Sequence, residues 1–311
     1  MSLLHLTQQI KKRIIKMVTP QENPDLTYSR GHALSTGEFT TWNPVRSLHA
    51  FSKTDLDTDP IFLGMEWEVT HEGSNYRNMI KKAASLPIFD KINFGNGGAP
   101  IEMRTCPGTY RYLSKVISEE FFGNNLQQDM YITTSNGIHV HIDKKTGFPS
   151  TTSLNKFCVF INLPTHKSFI QEISGRAMTN WCAPNVMDVK YFVDLSKLPK
   201  KAVAIESLNR LTRIVGGVNK NVEGSGKHVA VNISGHASTV ELRIFASQAQ
   251  EAAVLKNLEF VDAVIRFTRT RMYNKLTIEN FVKYVEEHQN DYPNLYAHSA
   301  IVSRIKTQKI A

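Results

Sequence analysis

Three pairs of polar residues interrupt apolar, strand-like segments at two-residue spacing. Glu66 and Glu68 lie in Gly64-Met65-Glu66-Trp67-Glu68-Val69, and His139 and His141 in Gly137-Ile138-His139-Val140-His141-Ile142-Asp143. Glu241 and Arg243 lie in Thr239-Val240-Glu241-Leu242-Arg243-Ile244-Phe245. A fourth segment, Pro100-Ile101-Glu102-Met103-Arg104-Thr105, repeats the Glu-x-Arg spacing. Residues two apart on a strand share a face, roughly 6.6 Å apart along the chain. Each pair therefore projects two polar groups on one side and Met65, Trp67, Val140 or Leu242 on the other. Taken singly, each pair has an ordinary reading. The glutamates fit the wet face of an amphipathic strand. The histidines fit plain strand residues as well as a metal site, and Glu241 with Arg243 fits an exposed ion pair. Glu102 alone says little.

Their conjunction changes the reading. If these strands share one sheet, Glu66, Glu68, Glu102, His139, His141, Glu241, Arg104 and Arg243 converge on one concave surface. Two carboxylates about 5 Å apart repel by roughly 3 kcal/mol at an effective dielectric near 20, so such a cluster persists where cations neutralise it. Carboxylate oxygen with some imidazole suits Mg²⁺ or Mn²⁺, and the lack of a close thiolate set argues against structural zinc.

The elements that must position these groups are legible from periodicity. Strand-like texture occupies 61–70, 99–105, 130–143 and 228–245. Helical stretches fall at 74–84, 110–122, 154–163, 165–175, 251–273 and 277–289. Strands interspersed irregularly with helices predict an α+β fold, a mainly antiparallel sheet with helices on one side. Leu3, Leu6, Ile10, Ile14 and Val18 give the first eighteen residues a helical apolar stripe followed by Lys11, Lys12, Arg13 and Lys16. This order is not that of a secretory signal. Pro20, Pro24, Pro44 and Pro60 make 20–60 an irregular connection. The expected division is a basic arm over 1–55 and one domain over 56–311.

Composition narrows the class. Hydrophobic residues at 41% and charged residues at 21% of 311 positions fit a folded globular chain rather than a disordered one. No apolar run is long enough to span a bilayer. Three cysteines, Cys106, Cys158 and Cys182, fit a reducing, cytoplasmic setting rather than a disulfide framework. A net charge of +9 and a pI of about 9.3 favour anionic partners.

In order along the chain, Gly-x-Glu-x-Glu at 64–68, Ile-Glu-x-x-Thr-x-Pro at 101–107, Gly-x-His-Val-His at 137–141 and Val-Glu-x-Arg-Ile-Phe at 240–245 resemble the amidoligases of the carboxylate–amine ligase superfamily. Ser174-Gly175-Arg176-Ala177 and Ala230-Val231-Asn232-Ile233 resemble further segments of that family. The resemblance spans about residues 62 to 250 and leaves the basic arm uncovered. It implies a glutamine synthetase-like core and an ATP-dependent ligation, in which a carboxylate is phosphorylated and an amine displaces phosphate to leave an amide. It further implies that Glu66, Glu68, Glu102, His139 or His141, and Glu241 hold Mg²⁺ or Mn²⁺ against the triphosphate. Arg243 and Arg176 would stabilise the transferring phosphoryl group. One histidine ligates while the other positions a phosphate or substrate, and the spacing leaves open which. The partners implied are a small-molecule or peptide carboxylate and an amine. Arg104 stands where the family more often places an aliphatic residue, which bears on the acceptor pocket.

Other motifs carry less. Gly224-Ser225-Gly226-Lys227-His228 lacks the first glycine and the hydroxyl residue of a phosphate loop. Cys182 has no base nearby in sequence and reads as a buried thiol. The His-x-His strand lacks the glutamate that a cupin site requires. Arg266, Arg269 and Arg271 on one helix, with the positive net charge, support an alternative of another class, a non-catalytic binding protein on the same fold acting on nucleic acid or a larger assembly.

Overall fold

The computed structural model describes residues 39–40, 59–70, 82–83, 86, 88–94, 100–178, 182, 229–233 and 238–310. The helix expected over 1–18, the Gly-Ser-Gly loop and most of the helix expected over 74–84 lie outside these residues. The described strands are β1 (Phe39–Thr40), β2 (Leu63–Val69), β3 (Phe89–Phe94), β4 (Ile101–Thr105), β5 (Gly137–Asp143), β6 (Val231–Asn232) and β7 (Thr239–Ala246). They form one sheet in the order β1-β3-β4-β2-β5-β7-β6, with every pairing antiparallel. The α+β class is thus as the sequence suggests.

Alternation along β2 divides the sheet into two faces. Leu63, Met65, Trp67 and Val69 are fully buried on one side, while Glu66 and Glu68 point to the other. Helices cover the apolar side. Helix α1 (Tyr110–Val116) runs on as a π-helical segment, Ile117–Phe122, which sets Phe121 and Phe122 against Trp67 at ring separations of 4.5 and 6.1 Å. Helix α2 (Thr151–Asn162) starts at a reciprocal cap between Ser150 and Ser153. It is followed by α3 (Lys167–Ser174). The long helix α4 (Glu251–Thr270) is buried nearly all round, which makes it the centre of the helical layer. Its Phe260 meets Phe245 of the sheet, and its Phe267 meets Phe160 of α2. Each such aromatic contributes roughly 1.5–3 kcal/mol by leaving water. Helices α5 (Ile278–Glu287) and α6 (Ser299–Ile310) complete the layer. Among the described residues, no helix is long and apolar enough to cross a membrane.

The structure corrects several sequence-based boundaries. In the 130–143 stretch an isolated bridge joins Tyr131 to Thr70, and the continuous strand begins only at Gly137, because Thr133–Asn136 is a turn whose Asn136 Oδ1 accepts from Thr133 N and Thr70 Oγ1 at 2.8 Å each. The 228–245 stretch is two strands, β6 and β7. β3 was not anticipated. Its pairing shifts register between Phe89 and Lys91, so Phe89 and Ile92 both face the core although they are three apart. α6 spreads its apolar residues round the helix and shows no clear stripe, yet Ala300 and Ile301 are fully buried. Phe39–Thr40, inside the expected arm, pair with β3.

Candidate active site

The polar face of the sheet is built by register. Glu66 stands across from Arg104 on β4 and from His139 on β5, and Glu68 across from Glu102. His141 stands across from Glu241, which in turn faces Asn232 on β6. A bulge lies within this pattern. Between the pairs Ile138–Phe245 and Val140–Leu242, β5 has one residue, His139, and β7 has two, Arg243 and Ile244. The extra residue bends β7 and returns Phe245 to the core face, while Arg243 stays beside Glu241.

Three carboxylates meet two imidazoles here. His139 Nδ1 lies 3.3 Å from Glu66 Oε2 and 3.4 Å from Glu241 Oε1, and its Nε2 lies 3.5 Å from Glu68 Oε1. His141 Nε2 lies 3.4 Å from Glu66 Oε2, and its Nδ1 lies 3.4 Å from Thr239 Oγ1. Arg243 Nη1 donates to Glu241 Oε1, and Asn232 Nδ2 donates to Glu241 Oε2 at 2.9 Å. Glu68 Oε2 accepts the Gly137 amide at 2.6 Å, and the Glu68 carbonyl accepts Ser247 Oγ at 2.7 Å. All five acidic and imidazole groups are at most 9% exposed, so they are partnered by one another and by neighbouring protein donors and not by bulk water.

The electrostatics follow from these contacts. Burial pushes the Glu66 carboxyl upward, but hydrogen bonds and charge from His139 and His141 outweigh it and hold it well below the ordinary value. Burial likewise raises Glu241, and Arg243, His139, His141 and Asn232 together bring it below the ordinary value. Both side chains are therefore anions at neutral pH, as ligands to a hard cation must be.

Glu66, His141 and Glu241 each offer one ligand atom, and these atoms lie within 4.8 Å of one another. An octahedral Mg²⁺ holds opposite ligands about 4.2 Å apart, twice its bond length of about 2.1 Å. The three side chains thus form a group that could hold a divalent metal ion after a shift of some tenths of an ångström, with two carboxylates and one imidazole as donors.

Arg176 reaches this cluster from another element. Gly175 ends α3 in the left-handed region at φ 65°, which a side chain would disfavour, and the chain then turns to present Arg176. Arg176 Nη2 donates to the Ser135 carbonyl at 3.0 Å, and its Nη1 lies against Gly137. Beside it opens a cavity of about 570 Å³ lined by Thr133, Ser135, Arg176, Ala177, Ala246 and Ser247.

Of the residues singled out in sequence, the structure gathers Glu66, Glu68, His139, His141, Glu241 and Arg243 into one contact network, with Arg176 at its edge. Glu102 and Arg104 share the face but lie one strand further out, and Glu102 is not among the three ligand atoms. Asn232, Gly137, Ser247 and Thr239 were not anticipated in these roles. Asn232 had a clue in the 230–233 segment, whereas a backbone amide such as that of Gly137 leaves no trace in residue type. Cys182 is fully buried, as expected. Arg266 and Arg269 are engaged inside the molecule, with Asp59, Asp262 and the carbonyls of Thr146 and Gly147.

No protein-family model matches the chain, and no curated protein matches it in sequence. Among solved structures it is similar to a novel glutamine synthase homolog at 10% identity and a TM-score of 0.35, over 86% of this chain and 71% of that one. It is also similar to a bifunctional glutathione synthetase from Pasteurella multocida at 11% identity and a TM-score of 0.34, over 85% of this chain. The similarity spans about half of that synthetase, 48% of its length.

Proposed function

We propose that this chain is a metal-dependent, ATP-using carboxylate–amine ligase whose catalytic domain runs from about residue 56 to 311, with the basic arm at 1–55 outside the chemistry. The observation that carries this reading is the convergence of Glu66, His141 and Glu241 within 4.8 Å, with Arg243 bonded to the same Glu241. The ordered motifs that resemble the amidoligases support it. Glu66, His141 and Glu241 would hold the first divalent ion, and Glu68, His139 and Glu102 would turn from their present partners to hold a second. When bound, the ions neutralise charge that develops between the β- and γ-phosphates.

The chain's own groups supply the remaining work. Arg243 keeps a guanidinium at the ligand cluster with Nη2 available to phosphate oxygens. Asn232 and Arg243 fix the Glu241 carboxylate, and Gly137 and Ser247 fix Glu68, so the anionic face is preorganised. Arg176 sits between that face and the adjoining cavity, where it can orient the acceptor side of a phosphoryl group. In the overall reaction a carboxylate takes the γ-phosphoryl group from ATP, and an amine then displaces inorganic phosphate and gives up a proton to form the amide.

The test is an ATP-turnover screen of the full chain with Mg²⁺ across amino acids, polyamines and short peptides, read by mass spectrometry. A product heavier than its acid by the amine less water supports the ligase. Absence of any Mg-dependent ATP turnover with tight, salt-sensitive binding to DNA or RNA would favour the non-catalytic alternative.

A further inference from the structure

Arg104 stands directly across from Glu66, yet the two do not form an ion pair. Glu66 turns instead to His139 and His141, at 3.3 and 3.4 Å. Glu68, the next acid on the same strand, is taken up by the Gly137 amide and His139. Arg104 makes no hydrogen bond or ion pair with any described residue, and its Nε is shut off from solvent without a partner. A half-buried guanidinium with an unmet, desolvated donor is unfavourable unless an anion from outside completes it.

The other arginine of the face cannot share that anion. Arg243, whose Nε is likewise buried without a partner, lies on β7, three strands from β4 in the order β4-β2-β5-β7, about 14 Å between backbones. It is already bonded to Glu241, at the end of the cluster where the ligase reading puts the phosphates. Arg104 flanks the cluster on the opposite end. A guanidinium presents a planar fork that matches a carboxylate with two parallel hydrogen bonds.

We propose that Arg104 is a specificity-determining residue that binds a non-reacting carboxylate of the organic substrate, as in an amino acid, a dicarboxylic acid or a peptide C-terminus. That this carboxylate is not the one activated rests on the ligase reading of the site. The oxyanion requirement itself rests on Arg104 and its surroundings.

The experiment titrates the full chain with glutarate, L-glutamate and L-alanyl-L-alanine as carboxylate probes, and separately with Mg-ATP and inorganic phosphate, by calorimetry. Wild type is compared with Arg104→Gln and Arg104→Lys, with folding checked by circular dichroism. Wild type should bind at least one carboxylate probe. Arg104→Gln should weaken that binding tenfold or more, Arg104→Lys threefold or more because the fork is lost, and Mg-ATP affinity should stay within twofold. If Arg104→Gln fails to fold, Arg104→Lys carries the same comparison. Unchanged carboxylate affinity in the variants overturns the proposal, as does a wild type that binds none of the three probes. Loss of Mg-ATP or phosphate binding in their place would assign Arg104 to the nucleotide and overturn it too. The ligase reading fails separately: wild type would then bind no Mg-ATP while carboxylate binding still depends on Arg104.

Discussion

Gly137 and Arg176 are packed so closely that a methyl group on the glycine would lie 2.4 Å from Arg176 Nη1. The same methyl would lie 3.2 Å from His139 Nε2 and 3.3 Å from the Phe245 carbonyl. The glycine is thus the point where the end of the Arg176 side chain rests on the start of β5.

Gly137→Ala should therefore act on Arg176 more than on the fold. The guanidinium can swing away, whereas the backbone carbonyl of Phe245 has to give only a few tenths of an ångström. The expected cost in stability is about 1 kcal/mol, in the ordinary range of point substitutions. Turnover should fall about 10- to 100-fold, because the displaced guanidinium no longer points at the reacting region. Melting curves and ATP-dependent product formation measure the two. Wild-type turnover in Gly137→Ala would remove Arg176 from the proposed machinery.

The site was legible in the sequence to the extent that it obeys strand periodicity. Glu66 and Glu68, His139 and His141, and Glu241 and Arg243 each stand out because a polar pair at i, i+2 inside an apolar strand has only one face to occupy. What periodicity cannot supply is register. That Glu66 meets both histidines but not Arg104 depends on which strands neighbour β2 and how they align. Bulges are equally hidden. One of them put Phe89 and Ile92 on the same side and masked β3, and another set Arg243 and Ile244 against His139. Hydrogen bonds from Asn232 and from the Gly137 amide arise from the same three-dimensional accidents of alignment.

Removing a ligand charge should separate metal binding from folding. Glu66→Gln and Glu241→Gln keep the side-chain shape but withdraw a hard anion, and Mn²⁺ affinity measured by calorimetry should drop tenfold or more. His139 and His141 lie against Glu66, and Arg243 and Asn232 donate to Glu241, so each of these carboxylates has buried partners that depend on it. Each variant should lose roughly 1–3 kcal/mol of stability without metal, the cost of leaving buried partners unmet. A variant with wild-type Mn²⁺ affinity identifies a residue that is not a ligand.

Arg243→Lys keeps the positive charge beside Glu241 and removes the planar fork. If Arg243 grips phosphate oxygens as charge shifts between them, kcat should fall on the order of 10²–10³, a few kcal/mol of transition-state stabilisation, with Mg-ATP affinity changed far less. A basic surface that serves nucleic acid would be indifferent to this substitution, since such binding follows total charge. Rapid-quench turnover and equilibrium nucleotide titration on the same preparation distinguish the two. Unchanged kcat would show that the lysine ammonium suffices and that the fork has no part in the chemistry.

Lys256 offers a prediction independent of the reaction. It is 5% exposed on α4, donates to the Ile173 carbonyl at the C-terminal end of α3 and lies 5.8 Å from the Phe245 ring. Burial pulls its amine down from 10.5 to about 8. Below pH 8 the folded and unfolded chains both carry the proton, and the fold bears the full cost of the buried charge. Between pH 8 and 10.5 the folded chain releases its proton first, so the unfolded chain binds more protons and the lysine's contribution to stability rises with pH. The rise is about 3 kcal/mol and is complete above pH 10.5. Tyr110 and Cys158, which burial pushes up to about 12, act in the opposite sense above pH 9, because they stay neutral in the fold while the unfolded chain ionises. Lys256→Met isolates the lysine from them. In denaturant melts, wild type should gain about 3 kcal/mol relative to Lys256→Met between pH 7 and pH 10.5. A difference between the two proteins that stays constant over this range would show that the Ile173 carbonyl and the Phe245 ring stabilise the ammonium as well as water does.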